Sequence, residues 1–335
     1  MKKSLCALLG ISLCIMILCS CTGGGTVNSD VASSSDVSSL ETETLQSHTF
    51  SETTSSKEQK DESQMVSSEE ESHETPVVTP SPSSVKVGPY TINDPNNTKG
   101  LSTKKIGYGF GVAKNGKPHS ISVNNQKYFD SVPQYKCLAL DTVSEEKCMY
   151  LTFDCGYEYK QITGEILDTL KEKNVKAAFF CTLHYIKSNP KLVRRMIDEG
   201  HIVGNHTASH HVMPDLSRTK KAEDIYKFEK YREDEYGYKS DYFRFPSGSY
   251  SENCLELVSS MGYKSIFWSV AYSDWDTDNQ KGEEYAYKTV TDRYHPGAVI
   301  LLHAVSKDNS LALGRMIDKA REDGYVWKSL DEYYE

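Results

Sequence analysis

From Cys148 onward the sequence alternates short apolar runs with amphipathic stretches, and this alternation limits the fold more than any other feature. The runs fall at 148–153, 176–182, 201–205, 241–245, 264–270, 297–303 and 325–328. Between them Ile162, Ile166, Leu167 and Leu170 share one helical face, and Leu192, Val193, Met196 and Ile197 share another. The second helix is bounded by Asn189-Pro190, a cap with proline at the first helical position, and by Gly200. Strands this uniformly apolar need cover on both faces, which helices flanking a parallel sheet supply. Seven such units predict an α/β fold, a small or incomplete barrel.

The remainder of the chain divides by composition. Lys2 and Lys3 followed by an apolar run from Leu5 to Leu18 read as a secretion signal over residues 1–21, too short for a membrane-spanning helix. It ends in Leu18-Cys19-Ser20-Cys21, which resembles a bacterial lipobox with Cys21 as the lipidated residue; an ordinary cleaved signal is the alternative. Residues 22–85 hold seventeen serines, nine threonines and one aromatic, Phe50. Such a segment buries too little apolar surface to offset its ordering entropy, so a disordered linker is expected over 22–95. Residues 96–147 lack strong periodicity and read as an N-terminal extension to a main domain over 148–332.

Charge follows the same division. Residues 22–85 carry twelve acidic and two basic side chains, a balance of −10 in a chain whose net charge is −9. The folded part is therefore nearly neutral and has no basic stripe, which argues against nucleic-acid binding. Of nine cysteines, four lie in the signal; Cys137, Cys148, Cys155, Cys181 and Cys254 are an odd set without pairing rhythm, so no disulfide scaffold is expected.

Five polar clusters sit at the ends of five apolar runs. Asp154-Cys155-Gly156 ends the first, His206-Thr-Ala-Ser-His210 follows the third, and Arg244-Phe-Pro-Ser247-Gly248 ends the fourth. Asp274-Trp275 follows the fifth and His303 ends the sixth. In a parallel barrel these ends share one rim, where active sites are built. Singly, each has an ordinary explanation: Asp154 or Asp274 as a helix cap, Arg244 as a structural ion pair, the histidine pair as a surface coincidence, His303 as a core histidine. Jointly they point to a site. One helical turn between His206 and His210 would aim both imidazoles at a common metal.

The stretches Tyr150-Leu-Thr-Phe-Asp-Cys-Gly-Tyr-Glu158, Asp274-Trp-Asp-Thr-Asp-Asn-Gln-Lys-Gly282 and Leu301-Leu-His-Ala-Val-Ser-Lys-Asp-Asn309, with Gly107-Tyr-Gly-Phe-Gly111 and Lys117-Pro118 ahead of them, resemble the polysaccharide deacetylases of the NodB-homology type, carbohydrate esterase family four. Within that family they are most similar to peptidoglycan N-acetylmuramic acid deacetylases that lead to muramic δ-lactam in the spore cortex. The resemblance implies a distorted (β/α) barrel and metal-assisted hydrolysis of an N-acetyl group. Asp154 then matches the general base and His303 the general acid. Arg244 and Asp274 orient them, and His206 and His210 match the metal ligands. The backbone N–H near Ser247 would hold the oxyanion, and Trp275 with Leu301 would wall the acetyl pocket. The family's second aspartate is here Cys155, which is either a soft third ligand or a small neutral filler. The implied metal is divalent, zinc before cobalt or manganese. The implied substrate is peptidoglycan glycan strands, stripped beforehand by an N-acetylmuramoyl-L-alanine amidase and reached by a lipid-anchored protein facing the cell wall. De-N-acetylation of N-acetylglucosamine and glycan binding without turnover are the rival readings.

Overall fold

The strand Cys148–Cys155 has no exposed residue on either face, as a strand at the centre of a doubly covered sheet requires. In the computed structural model, which describes residues 83–335, it is flanked on both edges by parallel partners. The described residues belong to a unit spanning Thr75–Glu335; the other unit, Met1–Glu74, and the lipobox cysteine Cys21 within it, lie outside them.

In chain order the strands are β1 (Ser84–Val87), β2 (Tyr90–Asn93), β3 (Ile106–Gly107), β4 (Cys137–Leu138), β5 (Cys148–Cys155), β6 (Ala177–Cys181), β7 (Ile202–Asn205), β8 (Tyr242–Phe243), β9 (Ser249–Tyr250), β10 (Lys264–Ile266), β11 (Ala298–His303) and β12 (Val326–Lys328). The main sheet runs β11-β5-β6-β7-β8-β10-β4, all parallel, with β12 on the first residues of β5. Its two ends meet through single bridges, Val270 to Ile300 and Leu140 to Ala298. The result is a distorted (β/α) barrel.

All seven anticipated runs form strands of this sheet. The helix faces also match: Ile162, Ile166, Leu167 and Leu170 are buried in the helix Ile162–Glu172, each contributing about 1.5–3 kcal/mol by leaving water. Pro190 opens the helix Pro190–Asp198, but Asn189 makes no side-chain cap and donates instead to the Tyr185 carbonyl at 3.1 Å.

Two expectations are corrected. The linker expected to reach residue 95 ends earlier, because β1 and β2 form an antiparallel hairpin. Val87 and Ile92 are buried in a cluster with Ala222 and Ile225 of the helix Arg218–Tyr236, and Tyr90 donates to the Glu229 carboxylate at 2.6 Å. The extension is also part of the main domain expected to begin at 148. It contributes β4, the eighth strand of the sheet, and the helix Ser120–Ser131, whose Gln126 is buried and accepts the Ala139 and Leu140 amides at 2.8 and 3.0 Å. Gly297, with φ of +74°, then accepts the Asp141 amide through its carbonyl, which seats this segment against the start of β11.

Alternation sorts the side chains into two layers. Cys148, Tyr150, Ala178, Phe180, Ile202, Tyr242, Ile266, Val299 and Leu301 fill the barrel interior. Met149, Leu151, Phe153, Cys155, Phe179 and Cys181 face the helices. Among the described residues no helix is long and apolar enough to cross a membrane.

Candidate active site

Register brings the polar strand ends to one level. Asp154 pairs with His303 on one side and Phe180 on the other, Cys181 pairs with Asn205, and Asn205 pairs with Phe243. His206 and Arg244 each follow by one residue. Asp154, His206, Arg244 and His303 therefore share both the rim and the parity of the interior-facing residues. The five clusters predicted from sequence meet in space.

Arg244 is fully buried and spends its donors inward. Its Nη1 donates to Asp154 Oδ1 at 2.9 Å, its Nε to the Ile266 carbonyl at 3.0 Å and its Nη2 to the Phe267 carbonyl at 3.3 Å. Its guanidinium lies 4.2 Å from the Phe180 ring centroid. Gly204 makes that ring's position possible, since a Cβ there would come within 2.6 Å of it. Burial pushes the Asp154 carboxyl upward, but Arg244, then His206 and His303, outweigh burial and hold it below the usual carboxylate range. Asp154 is thus a buried anion with a fixed partner on Oδ1, while its Oδ2 lies 3.5 Å from His206 Nε2.

His206 is held from behind. Its Nδ1 lies 2.8 Å from the Arg244 carbonyl, which requires the proton on Nδ1 and leaves the Nε2 lone pair toward Asp154. Burial pushes its pKa down to about 4, so the ring is neutral. The His210 ring lies 4.8 Å away, nearly perpendicular. The spacing is delivered by a turn and not by the helix expected from sequence: Thr207 and His210 adopt φ of +67° and +55°, and Thr207 Oγ1 accepts the His210 amide at 2.9 Å.

Across the rim, Asp274 holds His303 twice. Its Oδ1 lies 2.6 Å from His303 Nδ1 and its Oδ2 accepts the His303 amide at 2.7 Å. Nε2 is left to face the site. Burial pushes the His303 pKa down, yet Asp274, and then Asp154, raise it above the ordinary histidine value. Asn309 and Tyr272 complete this side: Asn309 Nδ2 donates to Asp274 Oδ2 and Tyr272 Oη donates to Asn309 Oδ1, both at 2.6 Å. A neutral amide in the first turn of a helix carries no sequence signal of its own.

The residues assigned to substrate contact separate. Trp275 is 41% exposed and its ring lies 5.7 Å from that of His303. Leu301 is buried on the interior face below His303. Ser247 is exposed in the turn Pro246–Gly248 with φ of +53°, a backbone strain of the order of 1–3 kcal/mol for a residue with a Cβ.

Cys155 stands apart from the other residues of the site. Its side chain points into the helix-facing layer with Cys181 and Tyr185, away from the parity of Asp154. Burial, with Cys181 beside it, raises its pKa well above the ordinary thiol value. Among the described residues no three His, Cys, Asp or Glu side chains are grouped as a metal cage. The donor chemistry that does fit a divalent cation is the neutral, carbonyl-braced His206 with His210 beside it, both nitrogen donors of the kind zinc accepts.

The comparisons with known proteins agree with this geometry. Residues 141–266 match the polysaccharide deacetylase family model. The chain is 45% identical over 194 residues to the peptidoglycan-N-acetylmuramic acid deacetylase PdaA of Bacillus subtilis, covering 56% of this chain and 72% of that one. It is 41% identical over 233 residues to an uncharacterised 30.6 kDa protein of Geobacillus stearothermophilus, covering 69% and 86%. The solved structure of Bacillus subtilis PdaA, described as a family 4 carbohydrate esterase, superposes with a TM-score of 0.65 at 36% identity, over 69% of this chain and 97% of that chain. The chain belongs to the polysaccharide deacetylase family, hydrolases of carbon–nitrogen bonds in N-acetylated sugars.

Proposed function

We propose that this protein removes the acetyl group from N-acetylmuramic acid in peptidoglycan, and that the freed amine closes onto the lactyl carboxyl of the same residue to give muramic δ-lactam. The observation that carries the reaction type is the pair of opposed dyads, Asp154 with Arg244 and His303 with Asp274, on one rim. The identity to a relative named for N-acetylmuramic acid supports the substrate.

Asp154 Oδ2 is the base. Arg244 keeps it ionised, so it can take a proton from water as that water attacks the acetyl carbonyl carbon. The Ser247 backbone N–H is the donor assigned to the oxygen that becomes negative. His303 protonates the departing nitrogen from Nε2, because Nδ1 is committed to Asp274; its raised pKa keeps that proton available near neutrality. Trp275 walls the acetyl group on the solvent side and Leu301 from below. His206 and His210 would hold the divalent metal, zinc first, which when bound supplies Lewis acidity to the carbonyl and lowers the pKa of water. The lactam needs a lactyl group free of its stem peptide, which places an amidase earlier in the sequence. Attachment through Cys21 and a wall-facing location complete the reading.

The test is mass spectrometry of glycans incubated with the full-length chain and zinc. Amidase-stripped peptidoglycan strands are expected to lose an acetyl group together with water at muramic acid, and Asp154→Asn to abolish that loss. Acetyl loss from N-acetylglucosamine oligomers alone would move the substrate to glucosamine. No product from either, with zinc, cobalt or manganese, would make the protein a glycan-binding relative without turnover.

A further inference from the structure

We infer that Asn309, oriented by Tyr272, is a positioning residue that locks Asp274 in the geometry presenting His303 to the departing amine. This rests on the reading of His303 as the general acid.

Asp274 is 1% exposed and carries three donors: His303 Nδ1 on Oδ1, and the His303 amide and Asn309 Nδ2 on Oδ2. Both donors other than Asn309 belong to His303 itself. Without Asn309 the carboxylate is held from one residue alone, by the His303 backbone amide at the end of β11 and by the ring it is meant to orient, and nothing on a second element sets its plane. Asn309 supplies that second point of attachment. It stands on the helix Lys307–Glu322, its amide held by the Ser306 hydroxyl at 3.2 Å. Its side chain has one stable orientation, because the carboxylate demands a donor and the Tyr272 hydroxyl supplies one to the remaining oxygen.

The same helix start grips residue 274 a second time. Gln280 Nε2 donates to the Asp274 carbonyl at 3.2 Å while its Oε1 accepts the Ser306 hydroxyl at 2.8 Å. The loop carrying Asp274 and Trp275 is thus tied to that helix by side chain and by backbone. Chemistry also selects the residue type. A lysine or arginine at 309 would compensate the Asp274 charge and weaken its hold on an imidazolium; a neutral donor steers the carboxylate and leaves its charge to His303.

The experiment compares wild type, Asn309→Leu, Tyr272→Phe and His303→Ala in the full-length chain. It measures kcat and KM on stripped glycan strands and the downfield Nδ1–H proton resonance of His303, assigned by its disappearance in His303→Ala. Asn309→Leu is expected to lower kcat by about 10–100-fold with KM within about twofold, and to broaden or shift that resonance. Tyr272→Phe, which removes only the outer hydroxyl, is expected to do the same to a smaller degree, and it decides the matter if Asn309→Leu does not fold. Wild-type kcat and an unchanged resonance in folded variants would overturn the inference. Full activity in His303→Ala would instead overturn the general-acid reading, and the resonance would then judge the Asn309 tether by itself.

Discussion

At Cys155 one residue of strand register decides the chemistry. Asp154 faces the interior, so its neighbour in an unbroken strand faces the helices. Cys155→Ser is therefore expected to leave zinc affinity within about threefold of wild type. It should destabilise the fold by about 1–3 kcal/mol, because a hydroxyl replaces a thiol in a dry layer. Chelator competition and urea unfolding measure the two; a tenfold loss of affinity would return Cys155 to the metal. The same rule explains what was legible in the sequence. Asp154, His206, Arg244 and His303 stand out because ionisable groups at the ends of apolar runs are costly unless used. The place of Cys155 in the helix-facing layer was legible too, from alternation alone. Asn309 and Tyr272 were not, since nothing local marks an amide or a phenol whose partner is dozens of residues away.

Among the elements, the strands and the helices that cover them were readable because their apolar periodicity is what buries them. The extension was not, and its composition shows why. In the helix Ser120–Ser131 the buried residues are Ser122, Gln126 and Phe129, whereas Ile121 and Tyr128 are exposed, so hydrophobic pattern points the wrong way. Its role is polar: Gln126 satisfies two amides just beyond β4, and Gly297 receives the next. A Cβ at Gly297 would lie 1.9 Å from the Asp141 carbonyl oxygen, whereas one at Gly262, also at positive φ, would meet nothing. Gly297→Ala should therefore cost about 3 kcal/mol or more, and Gly262→Ala about 1 kcal/mol from backbone strain alone. Urea unfolding of the two variants decides this, and equal losses would mean that the extension is not seated on β11 as described.

On the scale of the whole molecule, buried neutral histidines set how folding responds to acid. His201, just before β7 and so at the opposite end of that strand from His206, accepts the Ala177 amide through Nδ1 at 3.2 Å, so protonating that nitrogen breaks the contact. Burial, with Lys176 nearby, pushes its pKa down to about 4 from 6.5. Between those values the unfolded chain binds a proton that the folded chain does not, so stability falls as pH drops from 6.5 toward 4 and levels off below. The full difference corresponds to about 3 kcal/mol. His295, also lowered by burial, adds in the same direction. His303 acts oppositely: its raised pKa gives stability that is present below 6.5 and lost as pH rises through the folded value. Carboxylates held low, Asp141 and Asp154, lose their contribution only at more acid pH. Glu229, whose carboxyl burial raises above its usual value, also titrates between 6.5 and 4.5, so a variant and not the window isolates His201. His201→Gln keeps an acceptor for the Ala177 amide and removes the titration. Its unfolding free energy should decline over that window by about 2 kcal/mol less than that of wild type; parallel curves would show that His201 protonates in the folded protein as readily as in the unfolded one.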